Sequence, residues 1–375
     1  MEVEDRLALL LGNVPHAPDN GREERKPYRG GPVLRSSDVS WVCPKPVPMS
    51  ELAPGCGDVN WLWDGFLAGG FMSLLSSAPK CGKSTLIGHL LGQMGPDGGA
   101  LGTEVRPARV LVVSEESQLL WKRRRDALEI GDNAWIMSRP FRGRADWLQW
   151  SLFADALAAM VREMSLDLII IDTIGSVWPV EVENDASPVV EALSQLEAIT
   201  AAGAALLCTH HLRKSGGTEG MAARGSGAIL GVPDVLMELR RYQPGSRSDR
   251  RRVLTRYSRL DETDEDNELV LELGDNGYTC CGSRTDVRMD DRVGRIMDIL
   301  AGSDDGMTIV AIQEAWGGDD ETEPVSKRTI QAAMNNLITD DRVERTGVRG
   351  SKKNPYRYSK KEEGAAQRSA AGTFL

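Results

Sequence analysis

Apolar residues in the first two-thirds of the chain gather into short runs, at Phe71 to Ser76, Arg109 to Ser114, Leu168 to Asp172 and Ala204 to Thr209. Runs of this length, rich in β-branched and aliphatic residues, suit strands buried on both faces. Segments near Lys83 to Gln93, Asp146 to Met164 and Pro188 to Ala202 carry helical spacing instead. Their alternation between Gly65 and Met237 predicts an α/β domain, a mostly parallel sheet covered on both faces by helices. Past that point Asp234 to Arg241, Arg252 to Arg259, Glu268 to Leu273 and Gly277 to Cys281 read as strands joined by polar turns, an antiparallel extension of the same sheet.

A helical period returns beyond Asp286. Val293, Ile296, Ile299 and Leu300 recur on one face, followed by Ile309 to Trp316 and then by Ile330, Met334, Leu337 and Ile338. Three short helices, the strand Val343 to Thr346, a Gly-Ser-Lys-Lys turn and the strand Tyr356 to Ser359 predict a small winged-helix domain. The segment Asn13 to Pro54 is rich in Pro, Gly and charge and has no sustained apolar period, so it reads as an irregular arm. The expected organisation is an arm over 1–54, the α/β domain over 55–284, the winged helix over 285–361 and a disordered tail over 362–375.

Composition changes this picture little. The 375 residues are 41% hydrophobic and 27% charged, an ordinary globular balance, and no apolar run approaches the roughly 18 residues that cross a bilayer. Met1 to Gly12 place three acids ahead of a Leu-rich stretch, the wrong charge order for a secretory signal. Six cysteines without a C-x-x-C pair fit reduced thiols and no zinc site, so the expectation is a soluble cytoplasmic protein with no membrane partner. A net charge of -10 argues against indiscriminate coating of nucleic acid, and leaves the location of basic patches as the relevant quantity.

The chemistry concentrates at the ends of the predicted strands. Ser77, Ala78, Pro79, Lys80, Cys81, Gly82, Lys83, Ser84 and Thr85 follow an apolar strand and open a helix, the context of a phosphate-binding loop. In such a loop backbone N–H groups wrap the phosphates of ATP, Lys83 reaches the β- and γ-phosphates and Ser84 holds Mg²⁺. The strict signature asks for Gly where Ser77 stands. Leu168 to Asp172 ends in a carboxylate that a parallel sheet delivers to its carboxyl edge, where it binds Mg²⁺ through water. The strand Val110 to Ser114 runs into Glu115 and Glu116, and one of the two should deprotonate the attacking water, with Glu116 favoured. A fourth strand ends in His210 and His211, which point to opposite sides, so at most one faces the γ-phosphate.

With these blocks in order, the chain resembles the RecA-like P-loop ATPases of the RepA type, the hexameric replicative helicases of plasmids and phages and their AAA_25 relatives. The resemblance runs from about Val59 to Cys281 and rests on Val59 to Gly65, Ala78 to Thr85, Val110 to Ser117, Leu168 to Thr173, Cys208 to Gly217 and Ala223 to Ile229. It implies a RecA-like core, a catalytic glutamate at Glu116, a Walker B aspartate at Asp172 and a strand-end histidine at His210 or His211. It also implies a homo-hexameric ring in which Arg224 reaches a neighbouring subunit's nucleotide. Leu212 to Gly227 falls where such rings place a channel-facing loop, with Arg213 and Lys214 tracking single-stranded DNA.

In the C-terminal unit Lys327 and Arg328 stand at the start of the third helix, and Arg342, Arg345, Arg349, Lys352, Lys353, Arg357, Lys360 and Lys361 face only Glu344. That balance suits contact with a duplex backbone, and small winged helices also dock proteins. The function expected is an ATP-hydrolysing motor of DNA replication or repair, against a nucleotide-switched DNA-binding regulator or an accessory ATPase without unwinding activity.

Overall fold

The structure, a computed structural model, describes residues 46–51, 59–211, 227–246, 248–260, 267–275, 277–316 and 325–361. By internal contacts the chain divides into two units, Met1–Cys56 and Gly57–Leu375. The described residues of the first form one 3-10 turn, Met49–Glu51. The rest of the expected arm and the expected tail lie outside the described residues.

The second unit opens with β1 (Trp61–Trp63), β2 (Leu67–Ala68) and β3 (Met72–Ser77), then α1 (Lys83–Gln93), β4 (Gly99–Leu101), β5 (Thr103–Val105) and β6 (Val110–Ser114). It continues through α2 (Gln118–Ala127), β7 (Ala134–Ser138), α3 (Trp147–Met164), β8 (Leu168–Asp172), α4 (Ile174–Val177), α5 (Ala186–Gln195), α6 (Glu197–Ala201) and β9 (Ala205–His211). The order ends α7 (Gly227–Gly231), β10 (Val235–Arg241), β11 (Arg251–Ser258), β12 (Glu268–Gly274), β13 (Gly277–Ser283), α8 (Arg284–Ala301), α9 (Ile309–Trp316), α10 (Lys327–Thr339), β14 (Val343–Thr346) and β15 (Arg357–Lys360).

The large sheet has nine strands in the order β13-β12-β11-β10-β3-β9-β8-β6-β7. From β10 to β7 every pairing is parallel, and from β10 to β13 every pairing is antiparallel, as the sequence pattern predicts. Every residue of β3, β6 and β8 is buried, which explains their unbroken apolar texture. A smaller antiparallel sheet, β2-β1-β5-β4, packs into the same core, with Trp63 donating its indole N–H to the Leu101 carbonyl at 3.1 Å. α1 lays Leu86, Ile87, Leu90 and Leu91 on that core, each contributing roughly 1.5–3 kcal/mol by burial.

Three local expectations are corrected. α2 and β7 were not in the predicted order, because α2 buries only Trp121 and β7 is a half-buried edge strand. The helix expected over Pro188 to Ala202 starts earlier, at Ala186, and divides at Leu196, where i→i+3 bonds (Leu196 N to Leu193 O and Ile199 N to Leu196 O) tighten the turn. The helix expected from Asp146 starts one residue later, since Asp146 is its N-cap and forms a capping box with Gln149.

Beyond β13, three helices and the antiparallel pair β14-β15 enclose a separate core that includes Ile296, Leu300, Ile312, Ile330, Met334, Leu337 and Tyr358. No helix among the described residues is long and apolar enough to cross a membrane.

Candidate active site

The strands β3, β6, β8 and β9 are parallel neighbours, so their carboxyl ends share one edge of the sheet. Register pairs Ser77 with His211 and Ser114 with Asp172. The predicted phosphate loop, the two acidic strand ends and the histidine pair are thereby brought together.

Gly82 turns the chain into α1 with φ of +109°, a conformation other residues rarely adopt, and a Cβ there would stand 2.6 Å from the Tyr278 hydroxyl. Lys80 also has positive φ, at +61°. Behind the loop, the buried Arg252 donates Nε–H to the Cys81 carbonyl at 2.9 Å, and the Cys81 thiol, raised by burial, lies 3.5 Å from the Leu239 carbonyl.

Lys83 is only 5% exposed. Its Nζ donates to Ser77 Oγ and to His211 Nδ1, each at 2.9 Å, and lies 3.4 Å from the Ser77 carbonyl. Burial pushes its ammonium below the ordinary lysine range, opposed chiefly by the Asp172 carboxylate. Ser77, the departure from the strict signature, thus supplies a hydroxyl that holds the lysine. The ammonium has only donors, so His211 accepts on Nδ1 and is neutral there, consistent with an imidazole held below its usual range by burial and then by Lys83 and His210.

Ser84 donates Oγ–H to Asp172 Oδ2 at 2.7 Å, and Thr209 donates to Asp172 Oδ1 at 2.7 Å. Asp172, 2% exposed, is therefore fixed by two hydroxyls. The Ser84 hydroxyl and the Asp172 carboxylate are hard oxygen donors beside the phosphate loop, and Mg²⁺ commonly takes one or two protein oxygens together with substrate phosphates. The residues fit that ion. No cluster of three or more His, Cys, Asp or Glu suited to a metal occurs among the described residues.

The two glutamates differ. Arg124 of α2 holds Glu116 through both guanidinium nitrogens, Nη2 to Oε1 at 2.9 Å and Nη1 to Oε2. Glu115 is the carboxyl that faces the field of the cluster. Partial desolvation raises it above its ordinary range, Asp172 and Glu116 repel its charge, and the Ser176 hydroxyl and Lys83 pull the other way. His210 is turned away from Lys83, with Nε2 3.3 Å from Glu183 Oε1 and its ring tilted against Trp178. Arg124, Thr209 and Arg252 were not among the residues predicted, since nothing in their local sequence marks them; only the sheet order brings them to the site.

Residues 41–217 match the family model described as an AAA domain, AAA_25. This segment is a P-loop ATPase domain. The ATPase domain holds the phosphate loop, Glu115, Glu116, Asp172 and both histidines, and its parallel-rich sheet fits a RecA-like core. No curated protein matches the chain. Arg213, Lys214 and Arg224 lie outside the described residues. Lys327, Arg328, Arg349, Lys352 and Lys353 are exposed in the C-terminal unit, away from the ATPase segment in sequence.

Proposed function

We propose that the chain is a ring-forming, Mg-ATP-driven motor of DNA replication or repair. The observation that carries this reading is the cluster of Lys83, Ser84, Asp172 and His211 at one sheet edge, with a glutamate pair on the adjacent strand end. Lys83 and the loop N–H groups bind the β- and γ-phosphates, and Ser84 and Asp172 hold Mg²⁺. Bound magnesium neutralises charge on the phosphate oxygens. Glu116 takes the proton of the attacking water once Arg124 releases it. His211, bonded to Lys83, responds when that lysine changes partners.

The DNA part of the reading rests on charge placement. The last three helices and β14-β15 are read as a winged helix, with Lys327 and Arg328 exposed just after the Ser326 cap and Arg349, Lys352 and Lys353 exposed between the two strands. In the ring, a homo-hexamer, Arg224 completes a neighbour's site, and Arg213 and Lys214 follow a single strand through the channel. A second reading, a nucleotide-switched DNA-binding regulator, is favoured by the Arg124–Glu116 pair, which restrains hydrolysis. Steady-state ATP turnover with and without single-stranded DNA separates the two. Stimulation of tenfold or more is expected of the motor; a slow rate indifferent to single strands, with sequence-specific duplex binding, would overturn it in favour of the regulator.

A further inference from the structure

A groove of about 460 Å³ opens between α2 and the edge strand β7, and none of the catalytic residues named above lines it. It is lined from α2 by Leu119 and Trp121, from the sheet by Val112 and Ile136, and from their connection by Ile130. Leu119 is 58% exposed and Ile136 36%, so the groove presents apolar surface to solvent. Its volume falls within the range of about 300–1,000 Å³ typical of binding pockets.

Three features describe what fits there. First, β7 pairs only with β6 among the described strands. The Asn133 carbonyl accepts from Val110 N and Arg139 N donates to the Ser114 carbonyl, so alternate residues face β6 and the backbone groups of Ala134, Ile136 and Ser138 point outward. An extended peptide can pair with such an edge. Second, Lys122 and Arg125 line the groove and share a single acid, the exposed Asp126, while Arg123 and Arg124 add to the positive charge of α2. Third, the indole N–H of Trp121 and the hydroxyl of Ser138 are buried without a hydrogen-bond partner among the described residues. Of the two, Trp121 lines the groove, and its indole N–H gains an acceptor if an incoming strand shifts the ring.

We infer that this groove docks an extended segment of a partner protein in which acidic residues alternate with large aliphatic ones, and that docking there releases Glu116. The second half rests on the proposed hydrolytic role of that glutamate. Trp121 is the link: its ring lies against the Arg124 guanidinium, 4.8 Å from ring centroid to the guanidinium carbon, and Arg124 holds both oxygens of Glu116. A strand that presses on Trp121 shifts the arginine on the same helix and frees the carboxylate.

The probe is a fluorescein-labelled peptide of alternating Glu and Leu, with a Lys and Leu peptide as control, added to the full chain. Anisotropy reads binding, and ATP turnover in the same samples reads coupling. The Glu and Leu peptide is expected to bind and to raise turnover several-fold. Leu119→Glu, at an exposed position, and the reversal Lys122→Glu with Arg125→Glu should each weaken binding about tenfold, or 1.4 kcal/mol. In Arg124→Met, binding should persist and the stimulation vanish, which a merely structural role for α2 does not predict. Failure of the peptide to bind a chain that hydrolyses ATP overturns the docking site. Binding with turnover unchanged overturns the coupling. Binding by a chain that hydrolyses no ATP leaves the groove standing and overturns the ATPase reading instead.

Discussion

At the scale of single residues, the site depends on how few groups hold Lys83. Replacing Lys83 with Ala removes the cation from the phosphate loop and is expected to lower ATP turnover by at least about a hundredfold, the order seen when one preorganised donor is lost. Near-normal turnover would contradict the assignment. Gly82→Ala forces a side chain into positive φ and against the Tyr278 hydroxyl, strain on the order of 1–3 kcal/mol, and nucleotide affinity should fall with it. Tyr278→Phe in the same chain removes the contact but not the strained φ, so recovery should be partial; full recovery would assign the whole effect to the contact. His89 and His211 are both held below the ordinary imidazole range, chiefly by burial. The unfolded chain therefore binds more protons than the folded one as pH falls through about 6.5, so this contribution to stability is full above that value and declines on acidification. Urea unfolding at neutral and mildly acidic pH should show the decline, and His89→Gln should reduce it; an unchanged difference would contradict the cause.

At the scale of elements, what was legible in the sequence followed burial. β8, Leu168–Asp172, lies inside the sheet, so its residues had to be apolar and its terminal carboxylate stood out. α1 was readable because its apolar face packs on the core directly after the glycine turn. α2 was not, since Trp121 is its one buried residue, Leu119 and Leu120 are exposed beside it, and the basic run that follows carries no apolar period. β7 stayed hidden for a different reason: Ala134–Ser138 is short and mostly apolar, but half-buried at the sheet edge with no alternation to mark it as a strand. The partners of the site residues were less legible than the residues themselves, because the bonds of Thr209 to Asp172 and Arg124 to Glu116 depend on neighbours that the chain order alone does not place. In the C-terminal unit the helical period read correctly. Leu337, fully buried in the small core, should cost about 2–5 kcal/mol when cut to Ala, measurable as a lowered denaturant midpoint. A change below about 0.5 kcal/mol would mean that this unit does not depend on that core.

At the scale of the whole molecule, a net charge of -10 coexists with cations gathered on α2 and around β14-β15. The proposed contact with nucleic acid would then be local, with an affinity that falls steeply with added salt; Lys352→Ala with Lys353→Ala should make the slope of log affinity against log salt shallower by roughly 2 for a duplex, read by anisotropy. An unaltered slope would place the contact elsewhere. The central claim, that this sheet edge hydrolyses ATP, is tested most directly by steady-state ATP turnover of the purified chain beside its Asp172→Asn, Glu115→Gln and Glu116→Gln variants. The account predicts magnesium-dependent turnover that is lost in Asp172→Asn and Glu116→Gln and largely kept in Glu115→Gln. Turnover that survives in both Asp172→Asn and Glu116→Gln would contradict it.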